Sequence, residues 1–243
     1  MQSRKRADIL LVERGLAPSR ARAQAAIEAG LVTADGILVE KASQPVPPEA
    51  ELRATPAHPY VSRGGLKLAA ALAHFAVDPA GKVCLDIGAS TGGFSEVLAG
   101  RGARRVYAVD VGHGQLHPSL QGRHDIVSLE ATDARTLDRR LVPEPVDLVV
   151  ADVSFISLKL VLPAALNLCA AAAELVVLVK PQFEAGRAHL KKGIVRDEGV
   201  QKAVCVDIEK FIAAAGWRVL GTMPSPIAGG DGNREFLMGA GRG

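Results

Sequence analysis

The sequence predicts an α/β fold, a doubly wound sheet preceded by a small α+β unit, and three observations carry that expectation. From Gly65 onward, short β-branched apolar runs alternate with longer segments of helical period. The stretch "QPVPPEAELRATPAHPYVSRGG" is rich in proline, ends in paired glycines and reads as a boundary. Charge is also uneven. The chain carries a net +3, yet residues 1–22 hold Arg4, Lys5, Arg6, Arg14, Arg20 and Arg22 against Asp8 and Glu13. That is a surplus of +4, which leaves −1 for everything after it. The expected division is a small domain over residues 1–58, a linker over 59–64 and an α/β domain over 65–243.

In the first unit, "RADILLVERG" predicts a helix, "LAPSR" a break, and "SRARAQAAIEAG" a second helix capped by Ser19. Short strands follow around "LVTADGILVE", with an Asp-Gly turn between them. Arg20 and Arg22 fall in the first turns of their helix, where the helix dipole disfavours cations. Basic residues on both helices of so small a module point to phosphate contacts, against the plainer reading of a solvated face. Lys41 and Arg63 extend the set. The segment "RADILLVERGLAPSRARAQAAIEAGLVTADG", with the following "ILVEKASQPV", resembles the small RNA-binding domain first known in ribosomal protein S-four.

In the second unit, strands are predicted near 83–87, 105–110, 125–129, 146–151, 174–179, 217–222 and 234–239. Helices are predicted over 65–76, 93–101, 156–170 and 198–215. Such a sheet binds its ligand at the carboxyl ends of its strands. At the first of those ends stands "CLDIGASTGGF", where a dinucleotide fold would want G-x-G-x-x-G but Ser90 takes the position of the second glycine. A pyrophosphate is therefore disfavoured. The next strand ends in Asp110, followed by Val111, and is suited to a ribose diol; "ATDAR" offers Asp133 near an adenine. A nucleoside without phosphates fits, and S-adenosylmethionine is the expected cofactor. Asp86 and the loop Gly88, Ala89, Ser90, Thr91, Gly92, Gly93 and Phe94 would cup its methionine end.

Composition narrows the class further. A chain of 243 residues with 48% hydrophobic content can bury a sizeable core. No apolar run approaches the ~20 residues of a membrane span, and the start lacks a secretory segment. A cytoplasmic, monomeric protein without a metal is expected. Cys84, Cys169 and Cys205 show no CxxC spacing and read as core thiols.

The acceptor is narrowed by exclusion. The fourth strand gives "VVADVSF" instead of the Asn/Asp-Pro-Pro-aromatic run of exocyclic amine methylation, and no cysteine has the setting of a base-carbon nucleophile. An oxygen acceptor remains, and a hydroxyl needs a base. A lysine can serve if burial or a second cation lowers its pKa. Lys180, ending "ELVVLVKPQF" before Pro181, is the candidate, with Lys67, Asp152 and Glu235 able to converge on it. Singly each has an ordinary explanation: a solvated helix face for Lys67, a cap or turn for Asp152, a strand-end gatekeeper for Lys180 and an edge position for Glu235.

Together, the order Lys67, Asp152, Lys180, Glu235 resembles the tetrad of the FtsJ-like ribose 2′-O-methyltransferases. "VSRGGLKL", "LDIGASTGGF", "VDVGHGQL", "VDLVVADVSFISL", "LVKPQFE" and "GNREFL", joined to the N-terminal module, are similar to the TlyA family, ribosomal RNA 2′-O-methyltransferases also labelled haemolysins. The resemblance implies a Rossmann-like class I methyltransferase sheet. It also implies methylation of a cytidine ribose in ribosomal RNA, of the large subunit first and the small subunit as an alternative. Ribosomal RNA or a ribosomal subunit would be the partner, and Lys180 would stand nearest the acceptor hydroxyl. A membrane-active haemolysin and an RNA-binding protein with an inactive methyltransferase fold are the competing readings.

Overall fold

The computed structural model describes residues 4–55, 58–229 and 232–243. It divides into two compact units, residues 1–59 and 60–243. In the first, helices α1 (Ala7–Glu13) and α2 (Arg20–Glu28) pack together over Leu10, Leu11, Ala23, Ala26 and Ile27. Ser19 caps α2, its side chain accepting from the Arg22 amide. Two-residue strands β1 (Lys5–Arg6) and β4 (Pro45–Val46) pair antiparallel, and a small sheet runs β3-β2-β5 from β2 (Val32–Ala34), β3 (Ile37–Leu38) and β5 (Leu52–Ala54). The β2–β3 hairpin turns over Asp35 and Gly36, both at positive φ, as an Asp-Gly turn requires. Strands β1, β4 and β5 are too short to show a period, and they lack the Asp-Gly turn that marks the equally short β2 and β3.

The second unit is a seven-stranded sheet, order β11-β12-β10-β9-β6-β7-β8. Its strands are β6 (Val83–Ile87), β7 (Arg105–Val109), β8 (Ile126–Leu129), β9 (Val146–Ala151), β10 (Cys169–Val179), β11 (Arg218–Pro224) and β12 (Phe236–Arg242). The middle strands are parallel, and β12 is antiparallel to both β10 and β11. Alternate residues go to opposite faces. Leu85, Val149 and Val177 meet α5 (Leu158–Leu166) and α7 (Glu198–Ala214), while Cys84, Val150 and Val176 meet α3 (Gly64–His74) and α4 (Gly93–Gly100). A short α6 (Pro181–Glu184) follows β10.

Several expected bounds shift, β12 to Phe236–Arg242 from 234–239 among them, and two shifts have a plain local cause. Helix α5 is shorter than the expected 156–170, because Ser157 caps it at one end and the chain enters β10 at Cys169. Strand β10 in turn begins before residue 174, with a register shift between Cys169 and Glu174. Cys84 and Cys169 are buried thiols whose pKa values burial pushes up to about 12 and about 11. Among the described residues, no group of three or more His, Cys, Asp or Glu is arranged to hold a metal ion. No helix there is long and apolar enough to cross a membrane.

Candidate active site

Strand order places the crevice. From β6 the chain runs one way to β7 and β8, and from β9 the other way to β10, so the switch lies between β6 and β9. There the carboxyl ends of the two strands touch, with the Asp152 amide donating to the Ile87 carbonyl at 2.9 Å. Gly88 sits at φ +81°, and a Cβ on it would stand 2.5 Å from the Asp152 carbonyl oxygen, so this crossing admits only glycine. Ser90 also takes positive φ, +48°, and its amide donates to Asp110 Oδ2 at 2.8 Å. The loop thus keeps the backbone path of a glycine without a glycine there.

Two adjoining cavities open at this edge and share Gly88, Ser90, Asp152 and Ser154. The first, about 320 Å³, is lined by Arg63, Lys67, Ala89, Thr91, Gly93, Phe94 and Lys180 among others. The second, about 380 Å³, has apolar walls from Val109, Val111, Ala134, Ile156 and Val161, with Asp110 and Asp133 at its rim. Its size and lining suit a small flat ligand.

The four residues singled out for catalysis meet as two ion pairs. Lys67 Nζ lies 2.5 Å from Glu235 Oε2, and Lys180 Nζ lies 2.6 Å from Asp152 Oδ1 while donating to Ser154 Oγ at 2.9 Å. Both lysines are buried. Local sequence explains the placement: Pro181 opens α6 and ends β10, which leaves Lys180 extended at φ −112° with its side chain on the first cavity. Each of the two lysines has its own carboxylate, Glu235 for Lys67 and Asp152 for Lys180. Glu235 stands behind Lys67 and lines a different, smaller cavity.

Other expected ligands fall differently. Asp86 is wholly buried and lines neither cavity; Ser95 Oγ donates to its Oδ2 at 2.6 Å, and Oδ1 has no partner. Burial pushes its carboxyl up to about 7, the Ser95 hydrogen bond opposing and the charges of Asp152 and Asp110 adding. Its reach to a ligand is therefore indirect, through the loop it underlies. Gly92, at φ +91°, faces Leu116 and Leu120 instead of a cavity. Asp110 also accepts from the Gly112 amide at 2.7 Å, and Asp133 is tied to Arg135, which holds its carboxyl below the usual range.

The N-terminal cations are mostly engaged within their own unit. Arg6 and Arg20 both bind the buried Asp8, at 2.9 and 3.1 Å, with Gln24 donating to it as well. Arg14 donates to the Ala50 and Pro48 carbonyls, Arg22 to His58, and Lys5 pairs with Glu13 at 2.7 Å. Arg4 and Lys41 are exposed and form no ion pair among the described residues.

Two residues absent from the expected set belong to the site. Phe155 is 91% exposed, holds φ +64°, and lies against Phe183 at 5.0 Å between centroids. A bulky side chain at positive φ is an outlier that surrounding structure must impose. Glu184 supplies part of that constraint, accepting from Ser157 Oγ at 2.5 Å and from the Leu158 amide at 2.8 Å. It thereby pins the 152–157 loop to α6. The one sequence signal was a phenylalanine between serines just past a strand end.

A family profile described as FtsJ-like methyltransferase matches residues 60–242, and one described as S4 domain matches residues 5–52. The 16S/23S rRNA (cytidine-2′-O)-methyltransferase TlyA of Mycobacterium tuberculosis is 44% identical over 241 residues, covering 98% of this chain and 90% of that protein. Hemolysin A of Brachyspira hyodysenteriae is 36% identical over 234 residues, covering 96% of this chain and 98% of that protein. A solved structure of a hemolysin candidate from Streptococcus thermophilus is 38% identical with a TM-score of 0.78, covering 100% of this chain and 90% of that one.

Proposed function

The chain belongs to the FtsJ-like methyltransferases of the TlyA family, and on that premise we propose that it methylates the 2′-hydroxyl of a cytidine ribose in ribosomal RNA. The single observation that carries this reading is the paired lysine–carboxylate cavity, joined at the sheet's switch point to a flat apolar cleft. The cleft fits S-adenosylmethionine: apolar walls for adenine, Asp110 for the ribose diol, and a bare Gly88–Phe94 loop for the methionine end. That molecule supplies a methyl group on a sulfonium, already activated for displacement.

The chain's task is to align an oxygen with that methyl. Lys180 has three N–H groups, of which Asp152 and Ser154 take two; the third serves the ribose oxygen. As the C–O bond forms, the hydroxyl proton must leave; Lys180, an ammonium with all three N–H groups committed, has no lone pair for it, so we assign its acceptance to the Asp152 carboxylate while Lys180 holds the oxygen in place. Lys67, fixed by Glu235, holds the far wall. Phe155 is an exposed face on which an unstacked base can rest. The S4 domain delivers the RNA, with Arg4 and Lys41 free for phosphates and Arg6, Arg14, Arg20 and Arg22 held in fixed positions. A cytoplasmic site of action follows from that substrate. Although the Brachyspira relative is named a hemolysin, two buried lysines at one cavity, each paired with a carboxylate, favour transfer chemistry.

The test is incubation of the purified protein with methyl-labelled cofactor and free ribosomal RNA or intact subunits of each size, followed by nucleoside digestion. Label in 2′-O-methylcytidine is expected, and low-dNTP primer extension then locates it. Label on a base, or none in RNA, sinks the reading.

A further inference from the structure

The segment after α6 carries cations for which the transfer chemistry has no use. Lys191 and Ile194 exchange backbone hydrogen bonds at 3.0 and 3.1 Å, which leaves Lys192 and Gly193 as the two turn residues, at φ +53° and +78°. Positive φ at both central positions is the geometry that Asn-Gly fills readily, and a lysine fills it against its preference. The turn is nevertheless well rooted. Gly193 O accepts from Nδ2 of the buried Asn233 at 3.2 Å, and the buried Val195 accepts through its carbonyl from Gln201 Nε2 at 2.7 Å.

Lys191, Lys192 and Arg196 are exposed and form no ion pair among the described residues. Their acidic neighbours are engaged elsewhere: Asp197 caps α7 through the Gly199 and Val200 amides, and Glu198 pairs with Arg234 at 2.6 Å. The hairpin is also close to the cavity in terms of bonds. Asn233, which holds Gly193, accepts from the Gly229 amide at 2.9 Å, and Gly229 lines the Lys67–Lys180 cavity.

An electrostatic argument joins these facts. A ribose entering that cavity brings a phosphate on each side, yet both cavity lysines are already neutralised by carboxylates. Charge for the flanking phosphates must come from the rim. We propose that the Lys191–Arg196 hairpin is an RNA-backbone clamp of the catalytic unit, its three cations contacting phosphates beside the target nucleotide. The inference rests on the reading of the cavity as a ribose site.

The test uses the full chain carrying K191E and K192E together, with purified ribosomal RNA as the probe, and follows binding against salt concentration. Each phosphate contact contributes about 0.7–0.9 to the slope of log K against log salt, so losing two should flatten it by about 1.5 and weaken binding on the order of tenfold at moderate salt. Cofactor affinity in calorimetry and the melting temperature should not move. Lys192→Asn suits the turn while removing one charge; it should give half the slope change with equal or higher melting temperature. A wild-type slope in the double variant overturns the clamp, as does a defect seen with anionic phospholipid vesicles but not with RNA. If the wild-type protein binds RNA but transfers no methyl group, the reading of the cavity fails, and the slope alone still judges the hairpin.

Discussion

Asp8 in the N-terminal unit and Asp86 in the catalytic unit are both wholly buried, and their surroundings treat a negative charge in opposite ways. Asp8 collects Arg6, Arg20 and Gln24, and Arg6 above all drives its carboxyl well below the ordinary range. Asp86 has Ser95 alone, keeps one oxygen unpartnered, and is pushed up to about 7 by burial. The first unit spends part of its basic surplus on its own core. The second pairs its two cavity lysines one to one and leaves an unpartnered carboxylate oxygen beneath the Gly88–Phe94 loop. A basic residue near RNA is therefore not automatically an RNA contact, and an acidic residue near a cofactor loop is not automatically a ligand.

The sharpest way to break this comparison is at the lysine–carboxylate pairs. Lys180→Ala leaves Asp152 without its cation and removes the N–H assigned to the ribose oxygen, so methyl transfer at saturating cofactor should fall about 10²- to 10⁴-fold. An unchanged rate would remove Lys180 from the mechanism. Next in size, Arg6→Glu replaces one of the two guanidinium partners of Asp8 with a like charge, while Arg20 and Gln24 stay, and should destabilise the N-terminal unit. Limited proteolysis should then cut within residues 4–55 while cofactor binding persists. Arg4→Glu, at an exposed position, should weaken RNA binding with no new cleavage. Identical behaviour of the two variants would contradict the distinction between structural and contact cations.

That distinction also marks where sequence reasoning stops. Strand and helix alternation was legible because β6, β9 and β10 are buried on both faces and must be apolar runs. Lys180 was legible because a proline after it ends the strand. Even Ser90 was readable as a departure from a phosphate loop, although its positive φ was not. The partners of Asp8 were hidden, since Arg20 and Gln24 reach it from a second helix, 12 and 16 positions away, through packing that no local pattern encodes. Phe155 was hidden for a related reason: its exposure depends on a loop that Glu184 fixes from a short helix, 27 and 26 positions further along the chain than the Ser157 and Leu158 it holds.

A third prediction uses pH. The folded-state pKa of Asp86 lies above its ordinary 3.8, so the protein binds this proton more tightly folded than unfolded. That contribution is fully present below about pH 4 and is lost as pH rises to about 7; beyond that the ionised, buried carboxylate is a constant burden. At about 1.4 kcal/mol per pKa unit, the burden at pH 8 is at most about 4 kcal/mol. Asp86→Asn removes the charge but turns an amide toward the unpartnered position, so the gain should be smaller. Melting temperature should rise relative to wild type at pH 8, with the difference shrinking towards pH 5. A difference that is flat with pH would mean that Asp86 is not the group responsible.

The smallest expected effect, and the most informative about how the crevice is held, belongs to Glu184. Its two oxygens serve different donors on the same loop, the Ser157 hydroxyl and the Leu158 amide, and burial raises its pKa against both hydrogen bonds. Glu184→Ala removes both, at about 1.5–3 kcal/mol for a charged hydrogen-bond acceptor. Glu184→Gln keeps an oxygen for the Leu158 amide and presents an NH₂ that the rotatable Ser157 hydroxyl can accept from. Residues 152–157 carry Asp152, Ser154 and Phe155, so freeing them should slow transfer about tenfold in the alanine variant, if most of the lost fixation reaches the reacting geometry. The glutamine variant should recover most of that rate. Hydrogen exchange across residues 153–158 should quicken in the alanine variant and not in the glutamine variant. A lower melting temperature in the alanine variant with an unchanged transfer rate would show that Glu184 stabilises the fold without positioning the lysine–carboxylate pair.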